Sequence, residues 1–217
     1  LEGVFCLTIG KGSKVGERLV NDKRVPLISA TGSTPMGIRI AEKVGTRLGN
    51  TILELGGNNA VLVTEGANLD NVLRAVLFGA VGTAGQRCTS TRRLILHKPV
   101  AEEVTTRLLD AYKQVRIGDP LAEGTVMGPL VNQGGVKDMM DALVKIKEQG
   151  GEVILGGNQL TDRKGGCYVE PTIVKAANDL PMVQEETFAP VLYIQVADTV
   201  EEMIALNNGV PQGLSSA

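Results

Sequence analysis

The chain has 217 residues, of which 43% are hydrophobic and 21% are charged. This composition supplies enough apolar material for the core of one large domain or two small ones. The formal net charge is −2 and both signs are mixed along the sequence, so we expect neither nucleic acid nor a membrane surface as a partner. The longest apolar run, residues 72–81, is interrupted by Arg74 and is too short to span a bilayer.

The cysteines and the single histidine argue against a metal site. Cys6, Cys88, Cys167 and His97 are irregularly spaced and cannot supply the ligands of a zinc centre. An odd number of cysteines also argues against a disulfide framework. We therefore expect no metal and a reducing, cytoplasmic location, although a targeting segment upstream of this sequence would not be visible in it.

Apolar runs and amphipathic segments alternate along the chain. Strands are predicted over residues 3–9, 25–29, 51–55, 60–64, 93–97, 152–155, 168–174 and 192–196. Helices are predicted over residues 15–20, 36–48, 71–84, 100–115 and 135–149 and from residue 200 onward, with a polar loop at residues 156–166. This alternation predicts an α/β fold with largely parallel sheets.

A glycine turn between the second strand and the second helix is the first candidate site. Ser33 or Thr34 can cap the helix, and Pro35 stands at its first turn. A helix that begins after Gly32 and Ser33 presents unpaired N–H groups and a positive dipole end, which suit a phosphate. An ordinary capped helix explains the same pattern, so both interpretations stay open on this motif alone.

Glu54 and Cys88 are the candidate reactive residues, because each lies where an ordered element gives way to glycine-rich backbone. A thiolate attacks carbonyl carbon, so Cys88 indicates acyl chemistry. The positive charge of Arg87 would favour the thiolate if its side chain points the same way. A buried structural thiol is the alternative interpretation of Cys88.

A cysteine hydrolase needs a base for the thiol proton, and His97 is the only histidine. His97 lies on the strand after Cys88, where side chains alternate between faces, and a surface position is the simpler interpretation. Glu54 is then the remaining candidate base, since a carboxylate at a strand end between Leu53 and Leu55 can activate water.

Four motifs together resemble the aldehyde dehydrogenase superfamily. They are Thr31-Gly32-Ser33-Thr34 with Gly37, Glu54-Leu55-Gly56-Gly57, Gly85-Gln86-Arg87-Cys88 and Glu186-x-Phe188-Ala189-Pro190, in this order and spacing. Further details are similar to the antiquitin group, the α-aminoadipic semialdehyde dehydrogenases. These details are Gly57-Asn58-Asn59-Ala60, Gly82-Thr83-Ala84-Gly85, Arg92-Arg93 and Gly213-Leu214-Ser215-Ser216.

The resemblance implies a role for each reactive residue. Cys88 matches the nucleophile that adds to the aldehyde and becomes a thioester, and Glu54 matches the base that activates water for deacylation. The backbone N–H of Cys88 would be one donor to the oxyanion. Arg87 and Thr89 would face the substrate, and an arginine there suits a semialdehyde that carries a carboxylate.

The resemblance also implies a cofactor, which is NAD, with NADP still open. Gly32 and Ser33 match the turn at the cofactor phosphates, and Leu55 matches a residue at the nicotinamide. Glu186 and Phe188 match residues at the nicotinamide ribose. The small-molecule partner would be an aldehyde, and the full-length protein would form a homo-oligomer, either a dimer or a tetramer.

The resemblance places the chain in the middle of a longer protein. Residues 1–54 would be the end of a Rossmann-like dinucleotide-binding domain, and residues 55–217 would be most of an α/β catalytic domain. The oxyanion-hole asparagine and the residues that bind the adenosine ribose would lie upstream, so we expect this piece alone to be inactive. A non-catalytic truncated relative and a cofactor-independent cysteine acyl hydrolase are the competing functions.

Overall fold

The first of two structural units ends at Gly56 and is built on a parallel strand pair. The computed structural model describes residues 3–217. In this unit, the elements are a π-helical turn (Gly12–Gly16), α1 (Glu17–Asn21), β1 (Leu27–Thr31), α2 (Thr34–Gly45) and β2 (Asn50–Glu54). Thr31 pairs with Glu54 at the carboxyl end of both strands. The turn into α2 therefore starts at the same sheet edge at which β2 ends.

The second unit, Gly57–Ala217, contains a five-stranded sheet in the order β3-β4-β9-β8-β5. Its strands are β3 (Asn59–Val63), β4 (Thr91–His97), β5 (Glu152–Leu155), β6 (Gln159–Leu160), β7 (Tyr168–Val169), β8 (Thr172–Lys175) and β9 (Val191–Ala197). Its helices are α3 (Leu69–Val81), α4 (Lys98–Lys113), α5 (Gln133–Glu148), α6 (Pro181–Gln184) and α7 (Val200–Asn208). All neighbours in the large sheet are parallel except β5 and β8. The predicted α/β fold with largely parallel sheets is confirmed.

The central strands of this sheet are covered on both faces. Leu94 and Leu96 of β4 pack in the main core, while Ile95 between them packs in a second cluster with Ala197 and Met203. Because strand side chains alternate, the three consecutive apolar residues Leu94, Ile95 and Leu96 can all be buried only when both faces of β4 are covered. Among the described residues, no helix is long and apolar enough to cross a bilayer.

The strand predicted over residues 3–9 is wrong. This segment consists of turn and irregular backbone, and its apolar side chains Val4, Phe5, Leu7 and Ile9 are exposed. A strand forms when a neighbouring strand takes its backbone hydrogen bonds. None of the strands described in residues 3–217 pairs with this segment, so apolar character alone did not make it a strand.

The helix predicted over residues 71–84 ends earlier, at Val81. It is followed by a tight turn, Gly82–Gly85, in which Thr83 and Ala84 have φ values of 54° and 52°. Left-handed backbone cannot continue a right-handed helix. Cys88 consequently lies in a separate turn beyond the helix rather than at the helix end.

The polar loop predicted over residues 156–166 contains a short strand, β6. Gln159 pairs with Val169 and Leu160 pairs with Tyr168 of β7 in antiparallel register. The residues between the two strands form the loop of a hairpin. A two-residue strand leaves no periodic pattern in the sequence, which explains why the prediction missed it.

Candidate active site

In the first unit, Ser33 caps α2 at the edge where β1 and β2 end. Its side-chain oxygen accepts a hydrogen bond from the Met36 N–H at 3.4 Å, and Pro35 occupies the first turn. The Gly32 N–H donates to the carbonyl oxygen of Glu54 at 3.0 Å. The structure thus assigns the predicted cap to Ser33 and brings Gly32 and Glu54 together at one edge, where the Glu54 side chain is exposed.

Leu55 lies against the first turn of α2. A Cβ atom placed on Gly37 would overlap the Leu55 side chain, so the helix can accept Leu55 only because residue 37 is glycine. The predicted cofactor residues Gly32, Ser33 and Leu55 therefore surround the start of one helix. Such an end, with its unpaired N–H groups and positive dipole end, fits a phosphate group.

In the second unit, Cys88 lies near the tip of a closed turn between Gly85 and β4. The Arg87 N–H donates to Ser90 Oγ at 3.1 Å, and the Ser90 N–H donates to the Arg87 carbonyl oxygen at 3.0 Å. Cys88 is half-buried and Thr89 is exposed. The turn closed by these two bonds therefore presents the thiol at a defined place, with one face open.

The amide of Asn59 holds this turn from beneath. Its Nδ2 donates to the carbonyl oxygens of Cys88 at 2.7 Å and of Ser90 at 2.9 Å, and its Oδ1 accepts the Ser215 N–H at 3.1 Å. The approach is close enough that a Cβ on Gly57 would lie 2.7 Å from the Cys88 carbonyl oxygen. Gly57 is thus required for the turn to sit where it does.

The backbone before Cys88 is strained and closely packed. Thr83 and Ala84 are left-handed, and Gly85 has a φ of +67°. A Cβ on Gly85 would overlap the Ala189 carbonyl group. Sparsely populated backbone conformations persist only where surrounding structure enforces them, and they concentrate at functional sites.

Arg92 is the main feature of the site that sequence reasoning missed, since it was noted only as a detail of the group resemblance. The side chain is 2% exposed. Its Nη1 donates to the carbonyl oxygens of Gly85 at 2.7 Å and Ala189 at 2.9 Å, and its Nη2 donates to Arg87 O and to Glu186 Oε1, both at 3.3 Å. Burial lowers the pKa of Arg92, and the attraction of Glu186 counteracts this effect.

A signal for Arg92 was present in the sequence. Arg92 and Arg93 stand directly before the apolar run of β4, which the structure buries on both faces. A charged side chain in a buried strand must find hydrogen-bond partners. The pattern indicates that partners exist, but it does not say which residues they are.

Glu186 and Phe188 line a cleft of about 490 Å³ beside this turn, with Gln86, Asp138 and Glu185 also on its wall. The Glu186 carboxylate is 16% exposed and the Phe188 side chain is 48% exposed. A carboxylate accepts hydrogen bonds from sugar hydroxyl groups, and an aromatic face packs on a flat ring or a sugar. The cleft therefore has the chemistry for the ribose end of a nucleotide.

Arg87 turns its guanidinium toward α3. Its Nη2 donates to the Phe78 carbonyl oxygen at 2.7 Å, and its Cζ lies 4.6 Å from the centre of the Phe78 ring. The stacked geometry fixes the side chain against the C-terminal part of α3. The main positive charge bonded to the Cys88 turn is consequently Arg92 rather than Arg87.

His97 cannot form a dyad with Cys88. It stands at the far end of β4, which begins at Thr91, and a rise of about 3.3 Å per residue puts roughly 20 Å between the two ends of that strand. The His97 Nε2 lies 3.1 Å from the Asp198 carbonyl oxygen instead. The hydrolase alternative therefore loses the histidine that it requires.

Comparison with known proteins confirms the predicted family. The model of the aldehyde dehydrogenase family matches residues 2–217. A Dictyostelium discoideum protein named as a putative aldehyde dehydrogenase family 7 member A1 homolog is 51% identical over 214 residues, which are 99% of this chain and 42% of that protein. The α-aminoadipic semialdehyde dehydrogenase of Mus musculus is 46% identical over 218 residues, covering 100% of this chain and 40% of the relative.

Solved structures of the same family confirm the fold class. A betaine aldehyde dehydrogenase from Staphylococcus aureus, solved in complex with NAD+, superposes with a TM-score of 0.93 at 28% identity, over 95% of this chain and 42% of the other. An aldehyde dehydrogenase from Bacillus cereus superposes with a TM-score of 0.91, also at 28% identity and over 95% of this chain and 42% of the other. The chain thus spans about two fifths of the length of the relatives that it matches.

Proposed function

Because this chain belongs to the aldehyde dehydrogenase family, we propose that the full-length protein oxidises an aldehyde to a carboxylic acid with NAD, through Cys88 as nucleophile. The supporting observation is the Cys88 turn. The Asn59 side chain donates hydrogen bonds to the carbonyl oxygens of Cys88 and Ser90. The Arg92 side chain donates to those of Gly85 and Arg87, which precede the thiol. Backbone that is fixed in this way presents a nucleophile without paying ordering entropy at each turnover.

In the proposed mechanism, the Cys88 thiolate adds to the carbonyl carbon and the oxygen becomes an oxyanion. The Cys88 N–H has no acceptor among residues 3–217, so it is free to donate to this oxyanion. Loss of hydride from the former carbonyl carbon converts the thiohemiacetal into a thioester. The hydride leaves with its electron pair, so this step is a two-electron oxidation of the carbon.

Glu54 is proposed to activate the water that hydrolyses the thioester. Its carboxylate would take a proton from water as the oxygen attacks the thioester carbon, and the Cys88 thiolate would leave. The exposed position of Glu54 at the end of β2 supports this role, because water can reach the side chain there. The products are the carboxylic acid and the Cys88 thiolate, and Glu54 then releases to solvent the proton that it took from water.

NAD is the proposed cofactor and would supply the hydride acceptor when bound. Ser33 and Gly32 at the start of α2 fit its phosphates, and Leu55 would lie at the nicotinamide. Glu186 and Phe188 fit the nicotinamide ribose, on the chemistry of the cleft that they line. The related Staphylococcus aureus structure is a complex with NAD+, which favours NAD over NADP.

The proposed substrate is a semialdehyde that carries a carboxylate, such as α-aminoadipic semialdehyde. The Mus musculus relative is named for that substrate. Arg87 and Thr89 flank Cys88, and only Nη2 of the Arg87 guanidinium donates to an acceptor within residues 3–217. Because Arg87 Nε is buried and the guanidinium stacks on Phe78, a carboxylate would have to draw this side chain away from α3 to bind it in a bidentate manner.

Two further proposals concern organisation. The unit ending at Gly56 would be the last part of the dinucleotide-binding domain, and Gly57–Ala217 would be most of the catalytic domain; the sequence predicted this division after residue 54. The full-length protein would be a cytoplasmic homo-oligomer, either a dimer or a tetramer.

The experiment uses full-length protein with NAD and a semialdehyde. Wild type should produce NADH and form a thioester on Cys88 that mass spectrometry detects, whereas Cys88→Ala should do neither. Cys167→Ala is the matched control, because its thiol is also half-buried but lies outside the Cys88 turn, and it should retain activity. Aldehyde oxidation that survives Cys88→Ala would overturn the proposal, and a wild-type protein without any oxidation would favour a non-catalytic relative.

A further inference from the structure

The buried guanidinium of Arg92 joins two segments that carry different parts of the proposed site. One segment is the Cys88 turn, whose Gly85 and Arg87 carbonyl oxygens it binds. The other carries Glu186 and Ala189, which it binds through a carboxylate oxygen and a carbonyl oxygen. A single planar group thus contacts both the nucleophile turn and the wall of the cleft.

We propose that Arg92 is a positioning residue that holds the Cys88 turn and the Glu186 carboxylate in one fixed geometry. The roles of Cys88 and Glu186 rest on the proposed function, whereas the geometry itself does not. If Arg92 is lost, the thiol and the carboxylate move independently, and a reaction that needs both in place slows. The Arg92 guanidinium also lies 5.5 Å from the Phe188 ring, so the second cleft residue belongs to the same unit.

The identity of the side chain supports a geometric role. Only arginine offers donors in a planar fork, and Arg92 uses its two terminal nitrogens on four different acceptors. Lysine would keep the charge at a single point and leave several acceptors unpaired. Burial of a charge costs desolvation free energy unless the group is well hydrogen-bonded. An apolar side chain would therefore fill this space at a lower cost than arginine.

The Arg92 guanidinium also lies near the Cys88 thiol. Cys88 is close enough to Arg92 for the thiolate and the guanidinium to attract each other. The other charged side chains of this unit at the turn are Arg87, which stacks on Phe78, and Glu186, which pairs with Arg92. Removal of the Arg92 side chain should therefore slow alkylation of Cys88, because the turn that presents the thiol loses the donors to its Gly85 and Arg87 carbonyl oxygens.

Arg93 provides a matched control. It is equally buried, and its side chain donates to Asn58 O and Asn178 Oδ1 and to two carbonyl oxygens of α7, Leu206 O and Asn207 O. None of these acceptors belongs to residues 85–90 or to residues 185–189. Replacement of either arginine removes a buried guanidinium, but only replacement of Arg92 touches the two segments of the proposed site.

The first test is chemical rescue in the full-length protein. Arg92→Ala should slow alkylation of Cys88 by iodoacetamide about tenfold, because the Cys88 turn loses its donors to Gly85 O and Arg87 O, a weakening equivalent to one charge-assisted hydrogen bond. Guanidinium ion should restore the alkylation rate of Arg92→Ala at concentrations far below those that unfold proteins. The same concentrations should not change the alkylation rate of Arg93→Ala. Unaltered alkylation in a folded Arg92→Ala variant, or rescue that is equal in both variants, would overturn the proposal.

The second test uses Arg92→Lys, which keeps the charge if the alanine variant fails to fold. The KM for NAD should rise about tenfold because Glu186 loses its fixed donor, and kcat should fall, while Arg93→Lys changes neither beyond twofold. Wild-type KM and kcat in Arg92→Lys would contradict the proposal. The alkylation test needs neither cofactor nor aldehyde, so it remains decisive even if the full-length protein proves unable to oxidise aldehydes.

Discussion

The side-chain amide of Asn59 donates to the carbonyl oxygen of Cys88 at 2.7 Å, across 29 residues of sequence. The same nitrogen reaches Ser90 O, and the amide oxygen accepts the Ser215 N–H. Asn59 is 5% exposed, so water cannot replace these bonds. One buried amide thereby fixes the position of the Cys88 turn from the first strand of its unit.

Replacement of Asn59 by alanine should destabilise the protein and impair its chemistry together. Buried partners left without hydrogen bonds cost about 1–3 kcal/mol each, so we expect a loss of about 3 kcal/mol in the free energy of unfolding. Urea unfolding and the rate of Cys88 alkylation measure the two effects. Asn71→Ala, on the exposed surface of α3, is the control and should change neither. An Asn59→Ala protein with wild-type stability would show that the amide does not hold the turn.

Glu54→Gln should separate the two halves of the proposed reaction. The thioester should still form, because Cys88 is unchanged, but it should accumulate because water is no longer activated. Rapid-quench mass spectrometry of full-length protein would detect the acyl-enzyme, and steady-state turnover should fall at least about a hundredfold. Glu42→Gln, an exposed change on α2, should behave like wild type. Normal turnover in Glu54→Gln would remove Glu54 from the mechanism.

Gly57→Ala should disturb the Cys88 turn through sterics alone. The added methyl group would lie 2.7 Å from the Cys88 carbonyl oxygen, and relief requires backbone movement that costs about 1–3 kcal/mol. We expect a lower melting temperature and slower thioester formation. Gly66→Ala is the control, since a Cβ there meets nothing within 4 Å. Equal effects of the two substitutions would mean that they reflect only the general change in backbone entropy when glycine is replaced, and that there is no steric clash at residue 57.

Tyr193 should contribute to alkaline unfolding. Burial raises the pKa of Tyr193 to about 12, above the value of about 10 for an unfolded chain. The raised pKa means that its stabilising effect is complete below pH 10 and is lost as the pH rises toward 12. Between pH 8 and pH 11, the loss of this effect should lower the free energy of unfolding of the wild type by about 1.4 kcal/mol. Urea unfolding at both pH values should show that the free energy of unfolding decreases less in Tyr193→Phe than in the wild type. An identical decrease in the two proteins would refute this prediction.

Local patterns accounted for much of the fold. Ser33 and Pro35 predicted the start of α2, and the apolar runs predicted β4 and β9, because caps and periodicity act over a few residues. The run at residues 3–9 has the same composition but forms no strand, since pairing depends on a neighbour rather than on the run itself. The left-handed turn at Thr83 and Ala84 was equally hidden, because neither residue type prefers that conformation.

The sequence offers predictions about the candidate site where the chemistry resides in one residue type. Cys88 and Glu54 are the predicted nucleophile and base, and the motifs around them predicted the family that the comparisons confirm. Arg92 was not predictable as a positioning residue, because its contacts with Glu186 and Ala189 are separated by 94 and 97 residues of sequence. Long-range pairing of that kind depends on the order of strands in the sheet, which no local pattern encodes.

The close approach of Gly85 and Arg92 to Ala189 has a consequence for the growing polypeptide. Since Ala189 is 97 residues beyond Arg92, the turn around Cys88 cannot reach its final form until β9 has been synthesised and has joined the sheet. Nascent chains that are still shorter than this hold the thiol in unsupported backbone. The thiol of Cys88 is therefore present in the nascent chain well before its turn can fold, and it waits for at least 97 further residues after Arg92.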